Sequence, residues 1–273
     1  MATRDEMLQE LGLFPVWRRR TADRPPADPH EGANETNAAR RTADVAIAAD
    51  APTAAIKAAA TIVPADERAA RIARLEWAEF AADVDACTAC GLARTRNRSV
   101  PGVGDRRADW LFVGEAPGAD EDAKGEPFVG QAGRLLDSML AALGIARGNH
   151  VYIANVLKCR PPNNRTPEPG EAEACRPYLD RQIALIAPKL IVALGKSAAN
   201  ALLGVDATIA SLRGRAHRYR GVPLIVTYHP AYLLRSLPDK AKAWEDLILA
   251  RRTMRESGSA AVATGAAVSD PPG

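Results

Sequence analysis

Trp110-Leu111-Phe112-Val113-Gly114-Glu115-Ala116-Pro117-Gly118 is the stretch whose reading decides the fold. Four apolar residues run into glycine, and a Gly/Pro-bearing turn follows. That is the signature of a short buried strand ending in a tight loop. Working outward, the same pattern recurs. Val151-Tyr152-Ile153-Ala154 is a second strand, Leu190-Ile191-Val192-Ala193-Leu194 a third and Leu224-Ile225-Val226 a fourth. Between them lie helical stretches. Arg134 to Leu143 places Leu135, Leu136, Met139, Leu140 and Leu143 on one face, and Glu171 to Ile186, Lys196 to Leu203 and Lys240 to Arg255 also read as helices. In the last of these, Trp244, Leu247 and Ile248 fall on one side. Continuous apolar strands alternating with helices predict an α/β fold, three layers deep, around a mainly parallel central sheet. In such folds ligands gather at the carboxyl ends of the strands.

Composition bounds what the molecule does. The chain has 273 residues, 36 Lys+Arg against 33 Asp+Glu, a net charge of +3 and 47% hydrophobic residues. That is enough apolar content for a sizeable core. No apolar run reaches the length of a membrane span, and Asp5, Glu6 and Glu10 near the start are unlike a secretory signal. A cytoplasmic protein without disulfides is therefore expected. The pI of about 8.7 permits nucleic-acid binding without requiring it.

No aromatic residue lies between Trp17 and Trp77. The interval is rich in Ala and Pro and offers little area to bury. The expected organisation is a short peptide over 1–20, a disordered linker over 21–65, a folded domain over 66–256 and a disordered tail over 257–273. A single helix is expected over Ala69 to Ala86.

The four cysteines are Cys87, Cys90, Cys159 and Cys175. One Cys-x-x-Cys pair with two distant partners suggests a four-thiolate metal or cluster site. Spacing alone does not separate zinc from an iron–sulfur cluster.

Four loops follow the strands. They carry Gly114-Glu115-Ala116-Pro117-Gly118 with Pro127-Phe128-Val129-Gly130-Gln131-Ala132-Gly133, then Asn155 with Lys158-Cys159-Arg160-Pro161-Pro162, then Gly195-Lys196-Ser197, then His229-Pro230-Ala231-Tyr232-Leu233-Leu234-Arg235. Gly195-Lys196-Ser197 is not a P-loop, because the glycine required five positions earlier is Leu190. This set of motifs, interleaved with the cysteines, resembles the family 4, iron–sulfur uracil-DNA glycosylases. The resemblance runs from about Leu75 to Arg255.

The resemblance implies hydrolysis of the N-glycosidic bond of deoxyuridine in DNA, leaving an abasic site for base-excision repair. It makes Glu115 and His229 the catalytic pair. Glu115 positions water or steadies the cationic sugar, and His229 donates to the departing base. Phe128 stacks the flipped base, Asn155 reads its edge, and Gly114 and Ala116 shape the pocket. A carboxylate holding loop amides remains the plainer reading of Glu115, as ordinary core packing does for Phe128. The run Asp120-Glu121-Asp122 reads as a solvated face or a helix-start charge set rather than as catalytic. Lys196, Ser197, Leu233, Leu234 and Arg235 are expected at the DNA, with Leu234 ahead of Leu233 as the wedge into the duplex. A plain helix start explains Lys196 and Ser197 equally well. Arg94, Arg96, Arg98, Arg106 and Arg107 are placed either at phosphates or in a solvated loop.

The resemblance also implies a [4Fe–4S] cluster on the four cysteines, with zinc as the alternative. One subgroup of relatives forms a covalent adduct through a histidine in an inserted basic loop. No histidine lies between His150 and His217 here, so ordinary turnover is expected. Two other readings stand beside uracil excision: action on another deaminated base such as hypoxanthine, and a non-catalytic DNA-damage-binding protein. Leu11-Gly12-Leu13-Phe14 resembles the bacterial sliding-clamp-binding peptide, with Glu10 in the position of its glutamine. A monomer is expected.

Overall fold

The computed structural model describes residues 67–265. The N-terminal peptide with Leu11 to Phe14 and the linker lie outside the described residues. Nine α-helices and six strands are present among those described. The strands are β1 (Val103–Gly104), β2 (Trp110–Gly114), β3 (Val151–Asn155), β4 (Leu190–Leu194), β5 (Ala216–Tyr219) and β6 (Val222–Thr227). The helices are α1 (Glu67–Ile72), α2 (Trp77–Ala86), α3 (Ala119–Lys124), α4 (Gln131–Ala142), α5 (Pro169–Ile186), α6 (Lys196–Leu203), α7 (Ile209–Leu212), α8 (Pro230–Leu233) and α9 (Asp239–Gly265).

The sheet order is β1-β3-β2-β4-β6-β5. The four central strands are parallel, and β1 and β5 close the edges antiparallel. Every residue of β2, β3 and β4 is buried. The reason is visible in the alternation. Leu111 and Val113 pack with Tyr152, Ala154, Ile191, Ala193, Leu224 and Val226 on one face, under α5 and α6. Trp110 and Phe112 pack with Val151, Ile153, Leu190, Val192 and Ile225 on the other, under α4 and α9. Two apolar faces explain why these strands read as unbroken runs rather than as alternating ones. Each fully buried Leu, Ile, Val or Phe stabilises this arrangement by roughly 1.5–3 kcal/mol.

Gly114 aligns with Asn155, and Leu194 with Thr227. The parallel strands therefore end level, and their loops emerge on one edge. The chain steps from β2 to β3 on one side and later to β4 on the other. The carboxyl ends of β2 and β4 form the switch point where α/β sheets bind ligands.

Three expectations are corrected. The helix expected over Ala69 to Ala86 is two helices, broken at 73–76, with Ile72, Leu75, Phe80, Val84 and Tyr178 forming a separate small core. The antiparallel edge strands β1 and β5 carry too few apolar residues to announce themselves. The closing helix continues to Gly265, into the expected tail, as the helix propensity of its alanines allows. Trp244 is exposed; Ala243, Leu247 and Ala250 form the buried face instead. No helix of the described residues is long and apolar enough to cross a membrane.

Candidate active site and cysteine centre

The loops after β2, β3 and β6 enclose a cleft with about 1170 Å³ of free space, open to solvent. Glu115, Ala116, Phe128, Asn155, His229 and Arg235 all line it. Residues from loops far apart in sequence meet because the strands end level.

Glycines set the depth of the cleft. A Cβ on Gly114 would stand 2.4 Å from Asn155 Oδ1 and 2.6 Å from the Phe128 ring. Gly114 is therefore the one residue type that lets both side chains close over the end of β2. Phe128 itself has φ 55°, an uncommon conformation for a bulky residue. The turn is held from outside. Glu121 Oε1 accepts from the amides of Val129 and Gly130, at 3.0 and 3.3 Å, and Oε2 accepts from the Gly118 amide at 3.1 Å. Arg147 donates to the carbonyls of Pro127 and Phe128. Gly133 completes the fit, since a Cβ there would stand 1.7 Å from the Phe128 carbonyl oxygen.

The Phe128 ring faces the His229 imidazole, with centroids 5.4 Å apart and planes inclined by 30°. His229 caps the N-terminus of α8, and its Nδ1 accepts from the Ala231 amide at 3.2 Å. An accepting Nδ1 leaves the proton on Nε2. Withdrawal of solvent lowers the His229 pKa to about 4, against a smaller opposing influence from Glu121. The ring is thus a neutral Nε2–H donor at neutral pH. A Cβ on Gly195, which has φ 92°, would reach 3.0 Å from His229 Cβ. Gly195 consequently serves close packing of the histidine loop.

Asn155 ends β3 and is 2% exposed. Its Oδ1 is buried without a hydrogen-bond partner. A buried acceptor left unsatisfied is costly, and at a cleft wall it is the mark of a ligand donor.

The remaining residues divide. Leu234 is 40% exposed, whereas Leu233 is 1% exposed and packs with Tyr228 and Ala243. The expectation that Leu233 reaches DNA is corrected: it anchors α8. Lys196 and Ser197 do not line the cleft, and Lys196 Nζ stands 3.0 Å from Asp206 Oδ1. Arg96 donates to Cys159 Sγ, and Arg106 lies over the Trp77 ring. The Asp120-Glu121-Asp122 run is a helix-start charge set, in the first turn of α3, but it is not a wholly solvated face. Asp122 is buried and accepts from the Asn97 and Arg98 amides. Sequence reading missed Glu121, Asp122 and Arg165. A carboxylate that binds amides leaves no periodic trace. Arg165 is held at the cleft by a two-pronged pair with Glu171, at 2.6 and 2.9 Å.

Beneath β3, Cys87, Cys90, Cys159 and Cys175 line a second cavity with about 290 Å³ of free space. All four are free thiols. They come from the end of α2, the turn after it, the loop after β3 and the second turn of α5. Donors point at the sulfurs: Arg68 Nη2 at 3.4 Å from Cys87, Arg96 Nη1 at 2.9 Å from Cys159 and the Lys158 amide at 3.3 Å from Cys175. These contacts leave the Cys87 thiol below its ordinary value, whereas burial outweighs them and pushes Cys159 and Cys175 up. Among the described residues no group of three or more His, Cys, Asp or Glu closes to the spacing of a single-ion site. Four sulfurs are the donor chemistry of a soft centre, whether zinc or an iron–sulfur cluster.

Comparison with known proteins identifies the family. The family model for the uracil DNA glycosylase superfamily matches residues 101–248. The type-4 uracil-DNA glycosylase of Archaeoglobus fulgidus is 48% identical over 160 residues, which covers 56% of this chain and 80% of that protein. That of Pyrobaculum aerophilum is 44% identical over 171 residues, covering 60% and 87%. That of Thermotoga maritima is 43% identical over 179 residues, covering 64% and 93%.

Proposed function

The chain belongs to the type-4 branch of the uracil-DNA glycosylase superfamily, and from that premise we propose how its cleft removes uracil from DNA. The carrying observation is the buried, unpartnered Asn155 Oδ1 beside the Phe128 ring and the neutral His229 donor.

The flipped uracil stacks on Phe128. Asn155 Oδ1 accepts from N3–H, and Nδ2 donates to O4. Cytosine presents the opposite pattern and would leave these groups unpaired. His229 Nε2–H donates to the O2 oxygen as the C1′–N1 bond breaks and its electron pair leaves with the base. One such donor is worth ~3 kcal/mol, or about 100- to 1000-fold in rate. The Glu115 carboxylate faces the cationic sugar and orients the water whose oxygen bonds to C1′. The surplus proton of that water passes through Glu115. No lysine enters the reaction: Lys158 is buried and its Nζ is bonded to Asn155 O and Gln182. The product is an abasic site without strand cleavage.

Leu234 fills the gap left by the flipped base, and Arg235, Lys196 and Ser197 contact the backbone around it. The four cysteines hold a [4Fe–4S] cluster, which when bound ties α2, α5 and the β3 loop together; zinc is the alternative. For Leu11-Gly12-Leu13-Phe14 the resemblance makes a sliding clamp one partner to test, a helix docked on the enzyme's own surface being the other reading, and a monomeric cytoplasmic enzyme is inferred.

Single-turnover rates on uracil, cytosine and hypoxanthine DNA test this reading. Wild type should act on uracil, and Asn155→Asp should narrow the gap between uracil and cytosine by about 10-fold or more. Faster action on hypoxanthine would favour the other deaminated base. Selectivity unchanged in Asn155→Asp would remove Asn155 as the reader.

A further inference from the structure

His229 sits between two tyrosines of its own loop. Tyr228 precedes it, and Tyr232 follows three residues later. The two tyrosine rings stack, with centroids 5.2 Å apart and planes inclined by 17°. Between them the His229 carbonyl accepts from the Tyr232 amide at 2.9 Å and from the Leu233 amide at 3.2 Å. The stack therefore closes the turn that carries the imidazole.

Both rings are tied to α9. Tyr232 lines the cleft, and its hydroxyl donates to Asp239 Oδ2 at 2.6 Å. Ser236 Oγ donates to the same oxygen at 2.8 Å, and Lys242 Nζ stands 2.8 Å from Oδ1. At the other ring, the Arg213 guanidinium lies over Tyr228, 5.6 Å from the centroid. Arg213 follows α7 directly. Its Nε donates to Asp246 Oδ2 at 3.0 Å, and Nη2 donates to the Lys242 carbonyl and to Glu245 Oε2.

The sequence builds this by spacing. Asp239, Lys242, Ala243 and Asp246 recur at helical intervals and share one face of α9. Tyr228 and Leu233 pack with Ala243 there. The face of α9 that meets the histidine loop thus carries two buried carboxylates. One holds a tyrosine hydroxyl and the other holds the guanidinium.

A buried ion pair is a poor way to gain stability. Asp246 is 0% exposed and the Arg213 side chain 16%. Taking both ions out of water offsets much of their attraction, and well-packed apolar residues often serve as well. What the pair supplies is direction. A planar fork bound at several points has one orientation, and the Tyr228 ring beneath it is fixed accordingly.

We propose that Arg213 and Asp239 are positioning residues for the reaction. They lock the Tyr228–Tyr232 stack to α9, and the stack aims the His229 Nε2–H at the departing base. The inference rests on His229 as the donor.

The test measures kcat and KM on a uracil duplex with the full-length protein. Arg213→Met keeps the apolar stem and removes the fork. Tyr232→Phe keeps the ring and removes the bond to Asp239. Each should lower kcat by about 10-fold, with KM changed less than about threefold. The same two substitutions are then made in His229→Ala. There each should lower kcat less than about twofold, because the group they position is gone. A merely structural role would lower both backgrounds alike. Equal losses in the two backgrounds, a wild-type kcat in either variant, or a raised KM with kcat unchanged overturns the proposal. If Arg213→Met does not fold, Tyr232→Phe decides by the same outcomes. His229→Ala acting at the wild-type rate would instead remove His229 as the donor, a failure distinct from that of the clamp.

Discussion

At the scale of single residues, the site depends on groups placed where they are least comfortable. His229 is held neutral in the cleft with its pKa near 4. The unfolded chain binds that proton near pH 6.5, so at neutral pH the residue is neutral in both states and contributes nothing. As pH falls below 6.5 the unfolded state gains a proton that the folded state refuses until about pH 4. Stability should therefore fall across that window, by up to ~3 kcal/mol from this residue. Denaturant titrations at pH 7 and pH 4.5 should show the loss, and His229→Gln should show less of it. Imidazole NMR should find His229 still neutral, with its proton on Nε2, at pH 5.5. A ring titrating near 6.5 would contradict the account. Asn155 follows the same logic, as a buried polar group whose Oδ1 has no hydrogen-bond partner among the described residues.

At the scale of elements, the strands and the level edge they form were legible in the sequence, because a strand buried on both faces must be apolar throughout. β2, β3, β4 and β6 all appear where the apolar runs lie, and the loops after them hold the residues expected there. What the sequence hid were contacts made by side chains on amides. Glu121 binds the Gly118, Val129 and Gly130 amides, so it fixes the turn that carries Phe128. Nothing in the spacing of three consecutive carboxylates distinguishes it from Asp120, which has no such role. Glu121→Ala leaves three amides without their acceptor. It should cost about 1–3 kcal/mol, lower the melting midpoint by a few degrees and raise KM. A midpoint and KM both equal to wild type would show that the turn holds itself. Leu233 and Leu234 make the complementary point. Adjacent leucines on one turn are equivalent in sequence, and the packing of α8 alone sends one inward and leaves the other exposed.

At the scale of the whole molecule, the described residues place two sites on one scaffold. The cleft sits at the carboxyl edge of the sheet, and the cysteine centre lies where α2, α5 and the β3 loop meet. The loop from Asn155 to Cys159 belongs to both. The central claim is that this cleft excises uracil by hydrolysis. The most direct measurement is alkali-dependent cleavage of a duplex holding a single uracil, with matched thymine, cytosine and hypoxanthine duplexes and the His229→Ala variant alongside. The account predicts cleavage at uracil, only after alkali, with His229→Ala slower by about 100- to 1000-fold. Intact, cluster-bearing protein that binds this DNA and leaves uracil in place, or His229→Ala acting at the wild-type rate, would contradict it.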